Sequence, residues 1–204
     1  MTIAVLDYGS GNLRSVAHAL ERVGADVEVT GDHDSVLASE GLVVPGVGHF
    51  GAGVTALGDR EFDATIKDFI GTGRPVFGVC VGMQVLFEGS EEAPGVAGLG
   101  VFRGTVRRLP DDVTVPHMGW NQVSWLDTSH SGNRSVERSG DAWFYFAHSY
   151  AVTLTHDTIG TTLYGDTVSA AVARENVFAT QFHPEKSGDA GLALYRAFVE
   201  DAGP

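Results

Sequence analysis

The sequence predicts an α/β fold: an open, mostly parallel sheet flanked by helices, with antiparallel strands added in the second half. Three observations carry that expectation. Apolar runs of strand length alternate with helical stripes through about the first ninety residues. Short glycine-rich turns join them, as in doubly wound sheets. After about residue 96 strand-like runs follow one another with few helices between, which places antiparallel additions at one edge. The length, 204 residues, suits one domain spanning residues 1–204.

Ile3 to Asp7 is a short apolar run ended by the turn Tyr8-Gly9-Ser10-Gly11. Leu13, Val16, Ala17, Leu20 and Val23 then recur at helical offsets, and Gly24 supplies a C-terminal cap. Ala25 to Thr30 alternates like a strand, and Leu42 to Val44 is a buried strand stopped by Pro45-Gly46. Phe62, Ile66, Phe69 and Ile70 form a second helical stripe closed by Gly71 and Gly73. Pro75 to Val79 is a strand, and Met83 to Glu88 reads as the helix after it. Strands are then expected at Val101–Leu109, Gln122–Trp125, Trp143–Val152, Thr161–Tyr164, Val168–Ala173 and Val177–Phe182. Leu192, Tyr195, Phe198 and Val199 mark a closing helix, and the polar stretch 127–141 a surface loop.

Composition excludes several classes of function. The 43% hydrophobic content supports a packed core, and no apolar run reaches the length of a membrane span. Cys80 is the sole cysteine, which removes internal disulfides and multi-cysteine zinc sites; no metal or cofactor is expected. The N-terminal residues lack a basic region and a cleavage site, so a cytoplasmic location is expected. A net charge of −13 argues against binding nucleic acid or anionic membranes. That acidity fits adaptation to a salty solvent better than it fits any particular reaction.

Gly78-Val79-Cys80-Val81-Gly82 stands between a predicted strand and a predicted helix, the nucleophile-elbow pattern with cysteine in the serine place. A nucleophile on so sharp a turn needs neighbours almost without side chains. The turn also aims the N–H of Val81 and a helix N-terminus at an oxyanion forming beside the sulfur. A buried core cysteine is the competing reading, because free cysteines are among the most buried residues. Near the other end, Gln181-Phe182-His183-Pro184-Glu185-Lys186 closes a strand-like run. His183 and Glu185, two apart in extended backbone, share a face, and Pro184 is expected to bar a helix there. A carboxylate so placed can hold an imidazole in one tautomer. A surface loop is the usual explanation of such a tripeptide until the elbow is considered with it.

Together the two motifs resemble the class I (triad) glutamine amidotransferases, whose fold is a flavodoxin-like sheet domain. The resemblance implies that Cys80 attacks the side-chain amide of glutamine, His183 serves as base and acid, and Glu185 orients His183. Further segments resemble the glutaminase subunits of imidazole glycerol phosphate synthase: Asp7 to Leu13, Pro45 to Phe50, Cys80 to Gln84, Pro116 to Asn121, Tyr145 to Tyr150 and Gln181 to Ser187. Val81 stands where leucine is usual and Ala147 where a larger apolar residue is common. By this resemblance Val47 and Gly48, with Val81, form the oxyanion hole. Gln84, Glu92, His148, Ser149 and Tyr150 hold the substrate. Asn12, Trp120, Asn121 and Tyr145 face a partner, a (β/α)8-barrel cyclase.

Several of these segments carry a second reading from the residues alone. Gly46 to Gly51 matches the dinucleotide fingerprint G-x-G-x-x-G, but no helix is expected directly after it and Gly53 follows. Glu92 sits in an acidic turn where a solvated charge is common, His148 could be a satisfied core histidine, and Trp120 a core tryptophan. Three functions therefore stand: a glutaminase that feeds ammonia to the cyclase, a triad glutaminase of another synthase, and an amidotransferase-like regulatory module. The Pro116–Asn121 run favours the first over the second. Retention of Cys80, His183 and Glu185 disfavours the third.

Overall fold

The computed structural model describes residues 1–126 and 142–203. The expected polar loop at 127–141 lies outside the described residues. The chain runs β1 (Thr2–Leu6), α1 (Leu13–Arg22), β2 (Asp26–Thr30), α2 (His33–Ala38), β3 (Gly41–Gly46), α3 (Phe50–Gly58), α4 (Phe62–Gly71), β4 (Val76–Cys80) and α5 (Val81–Gln84). It continues with β5 (Gly89–Ser90), β6 (Thr105–Arg108), β7 (His117–Trp125), β8 (Ala142–His148), β9 (Tyr150–Val152), β10 (Thr158–Tyr164), β11 (Asp166–Arg174), β12 (Val177–Thr180) and α6 (Gly188–Ala202).

Nine strands form one sheet in the order β2-β1-β3-β4-β12-β11-β10-β7-β8. The run from β2 to β12 is parallel, and the remainder continues antiparallel at one edge, as the sequence predicts. The strand patterns follow from position. β3 and β4 sit in the middle, covered on both faces, and every residue of both is buried. β7 has solvent on one face and alternates: His117 and Val123 point inward, Met118, Trp120 and Gln122 outward. Beneath β4, Phe77 packs on Phe178, Tyr195 and Phe198 with ring centroids 4.8, 5.3 and 5.6 Å away, so α6 seals the core under the elbow.

One helix was not foreseen in the sequence, and four expectations need correction. A short helix, α2, follows β2; Asp32 caps it, its carboxylate accepting from the N–H of Ser35 at 2.8 Å. A helix does follow the Gly46–Gly51 turn. α3 carries three glycines that read as loop, yet a Cβ on Gly51 would lie 2.9 Å from that of Ala93, and one on Gly53 3.3 Å from Val85 Cγ1. Glycine there permits close helix packing. The helix after the elbow is a single turn at Val81–Gln84 because the chain leaves it at Val85, whose carbonyl accepts from Leu99 N–H. Of the Val101–Leu109 run, only Thr105–Arg108 is strand. The run Trp143–Val152 divides at Ser149, and β9 joins β5 and β6 in a separate three-stranded sheet.

Candidate active site

Cys80 ends β4 in a conformation rare for a side-chain-bearing residue, φ 55° and ψ −111°. Backbone held this way costs on the order of 1–3 kcal/mol and persists only where the surroundings impose it. They do so through close backbone contact. A Cβ on Gly82 would lie 1.9 Å from the carbonyl oxygen of Val44, and one on Gly46 2.4 Å from the nitrogen of Gly82. Strand β3 thus presses against the turn that follows the sulfur.

β12 lies beside β4, with Thr180 opposite Val79, and delivers His183 to the same end of the sheet. His183 is extended, as predicted, but Pro184 opens a 3₁₀ turn, Pro184–Lys186, instead of barring a helix. Proline fits the first helical position because its missing N–H has no intrahelical acceptor to lose. It is this turn that brings Glu185 back under the imidazole, with Nδ1 of His183 2.8 Å from Oε1 of Glu185. A carboxylate only accepts, so Nδ1 donates to Glu185 and Nε2 is left free to interact with Cys80. Burial acts to lower the His183 pKa, but the interactions with Cys80 and Glu185 outweigh it and raise the value to about 9. The two partners thus favour the protonated imidazole.

The outer contacts fix that pair. Ser187 Oγ donates to the carbonyl of His183 at 2.6 Å and accepts from the N–H of Tyr145 at 3.0 Å. Asn12 Nδ2 donates to Oε1 of Glu185 at 3.3 Å, placing Asn12 behind the pair. Tyr195 is wholly buried; burial, then the charge of Glu185, push its hydroxyl well above its usual range.

A cavity of about 350 Å³ opens above Cys80. Val47, Gly48, Cys80, Val81, Gln84, Glu92, His148, Ser149, Tyr150 and His183 all line it, every one expected from the sequence; Pro116, Met118, Ala147 and Lys186 complete the wall. Gly48 has φ +90°, a conformation that other residues avoid, and Ser10 Oγ donates to the carbonyl of Val47 at 3.2 Å.

The Gln84 amide is oriented by its neighbours. Its Nε2 lies 3.0 Å from the carbonyl of Tyr150, which only accepts, and 2.9 Å from Oε1 of Gln181. Both N–H groups are thereby used, which leaves the Gln84 carbonyl to accept from a ligand. Gln181 is fully buried and its Nε2 lies 3.8 Å from the Cys80 sulfur. It was not among the expected site residues, although it stands two before His183 in extended chain and so shares its face. Glu92 has a structural task as well: its carboxylate accepts from the N–H of Phe50 at 2.7 Å, at the start of α3.

The four residues expected at an interface divide. Trp120 pairs with Tyr145 across β7 and β8 on the outward face, beside exposed Met118 and Trp143. Lys186 Nζ lies 5.8 Å from the centre of the Tyr145 ring. Asn121 turns to the opposite face, and Asn12 lies beside Glu185. No helix among the described residues is long and apolar enough to cross a membrane.

A strained cysteine elbow joined to a His–Glu pair, on a sheet of this topology, defines a class of cysteine-dependent amide-cleaving proteins. The family described as "Glutamine amidotransferase class-I" matches residues 4–202, and the chain belongs to that family. Among its relatives, the imidazole glycerol phosphate synthase subunit HisH of Methanothermobacter thermautotrophicus is 47% identical over 200 residues, 97% of this chain and 98% of that one. The protein of the same name from Mycolicibacterium paratuberculosis is 48% identical over 207 residues, 98% and 97% of the two chains. Among solved structures, a glutamine amidotransferase matches with a TM-score of 0.77 at 22% identity over 99% of both chains. The structure of PurLQS from Thermotoga maritima matches at 0.75 and 19%, over 98% of this chain and 97% of that one. At such identities these two likenesses speak for the fold.

Proposed function

We propose that this chain is the glutaminase subunit of imidazole glycerol phosphate synthase, one amidotransferase domain that releases ammonia from glutamine for a cyclase subunit. The observation that carries the chemistry is the Cys80–His183–Glu185 constellation at the floor of the cavity. The near full-length identity to the HisH subunits supports the choice of synthase.

Glutamine enters with its side-chain amide over Cys80, and the Gln84 carbonyl accepts from one of its donors. The sulfur attacks the amide carbon, and backbone N–H groups of Val47, Gly48 and Val81 receive the oxyanion. Protonated His183 gives its Nε2 proton to the departing nitrogen, which leaves as ammonia. A glutamyl thioester remains on Cys80. Neutral His183 then takes a proton from water, whose oxygen attacks the thioester, and glutamate departs as the sulfur regains its starting state. Glu185 holds the imidazole in the required tautomer throughout.

Ammonia released into water would be protonated and lost, so it passes to a bound partner. The face beside the cavity mouth, with exposed Met118, Trp120 and Trp143 and half-buried Tyr145, suits a cyclase of (β/α)8-barrel form, in the cytoplasm. The test is a glutaminase assay with and without each candidate synthase subunit and its substrate. Stimulation by the cyclase that makes imidazole glycerol phosphate is expected; a chain already at full speed alone would reject the coupling. Full activity in Cys80→Ala would reject the mechanism.

A further inference from the structure

Behind the cavity wall a hydrogen-bond chain runs from β10 through β7 and β8 to the residues around Cys80, and its direction is fixed at both ends. Oδ1 of Asn121 accepts from the N–H of Gln122 at 2.8 Å, so its Nδ2 faces the carbonyl of Leu163 at 3.0 Å and Nε2 of His117 at 3.4 Å. At the other end, Nδ1 of His148 lies 2.9 Å from the carbonyl of Tyr150, which can only accept, and must therefore carry a proton. Nδ1 of His117 and Nε2 of His148 are 3.0 Å apart. With one proton per ring, a single arrangement satisfies every contact: Nδ1–H on both rings and a lone pair on Nε2 of both. Any other leaves two donors or two lone pairs facing each other.

The surroundings keep both rings neutral and still. Burial holds the His148 pKa down at about 3 and the His117 pKa at about 4. His117 stacks on Phe146 and on Tyr164, with centroids 4.7 and 3.9 Å away and ring planes within 18° and 17° of parallel. Both nitrogens of His148 are spoken for, so it reaches a substrate only through its ring and backbone. The Tyr150 carbonyl, where the chain ends, also accepts from Gln84.

We propose that His117 is a positioning residue of the glutamine site, locking His148 in its Nδ1–H tautomer and so fixing the Tyr150 carbonyl and the Gln84 amide that meet the substrate. The inference rests on the amidotransferase reading of the cavity. It also gives Asn121 a task inside the subunit, as the donor that sets the tautomer of His117.

Two measurements on the full chain test this. Long-range ¹H–¹⁵N spectra of ¹⁵N-histidine-labelled chain, assigned with His117→Phe and His148→Phe, are expected to show Nδ1 protonated on both rings from pH 6 to 8. A proton on Nε2 of either ring overturns the proposal. Separately, alkylation of Cys80 by an electrophilic glutamine analogue is followed by mass spectrometry across concentration. His117→Phe keeps the stacked ring and removes both hydrogen bonds, so its half-saturating concentration should rise about tenfold, while its limiting rate changes less than about twofold. His117→Asn, which offers a donor near the place of Nδ1, should recover part of the loss. An unchanged half-saturating concentration in folded His117→Phe overturns the proposal. An unmodified parent Cys80 would instead overturn the reading of the cavity, and the proposal with it.

Discussion

The imidazole of His183 donates from Nδ1 to Glu185 across 2.8 Å while its far side faces Cys80. These two partners raise the pKa of a buried group that desolvation alone would lower. The sign of the linkage follows. Between about 6.5, the unfolded value, and about 9, the folded chain holds a proton that the unfolded chain releases. The stability gained from this pair is complete below that window and is lost as pH rises through it. In Glu185→Gln the urea midpoint should therefore fall less steeply between pH 6.5 and 9 than in the parent. Glutaminase turnover of the variant should drop by about a hundredfold or more. Parallel midpoint curves would contradict the assignment.

Gly82→Ala tests the elbow. The added methyl would meet the Val44 carbonyl at 1.9 Å, and a backbone atom in a central strand cannot give way. A loss of about 3 kcal/mol in urea unfolding is expected, with loss of Cys80 alkylation. Gly58→Ala is the control. Its Cβ would meet nothing within 4 Å at the end of α3, and stability should hold or rise by up to about 1 kcal/mol.

Trp120 is 54% exposed and pairs with Tyr145 on an open face. If the cyclase docks there, Trp120→Ala should weaken its binding by tenfold or more in titration calorimetry and leave alkylation of the isolated subunit unchanged. Equal affinity would move the interface elsewhere.

Arg174 grips the buried carboxylate of Asp157 with two hydrogen bonds, at 3.0 and 2.6 Å, and donates a third to the carbonyl of Val101 at 2.8 Å. Arg174→Met strands that carboxylate and should cost about 3 kcal/mol in urea unfolding at pH 7. The deficit should shrink when Asp157 is also replaced by Asn. A neutral single variant would show that water already serves Asp157.

The parts that were legible in the sequence share one property: their burial follows a simple period. β1, α1, α4 and β4 read plainly because each shows its core one face, or is buried throughout. α3 did not, since its glycines carry no periodic signal and their value lies in the space they leave for Ala93 and Val85. α2 is six residues long with only Val36 buried, too brief to register a stripe. Within the site, Cys80, His183 and Glu185 stood out through unusual neighbours in sequence. Gln181 and His117 lie in the runs that carry the resemblance, but nothing in those runs assigned either a task in the site. Gln181 could have been found by stepping two back from His183, whereas the task of His117 depends on β8 and β10 lying alongside β7.

Cys80 and His183, the proposed nucleophile and its acid–base partner, hang from β4 and β12, adjacent strands whose paired residues, such as Val76 and Val177, are about a hundred positions apart in the chain. This contact is costly to close and cannot form early during synthesis. A ribosome exposes Cys80 long before it adds His183, so the thiol emerges without the groups that make it reactive. Catalytic competence thus arrives together with completion of the sheet, and a truncated or stalled chain carries a harmless cysteine.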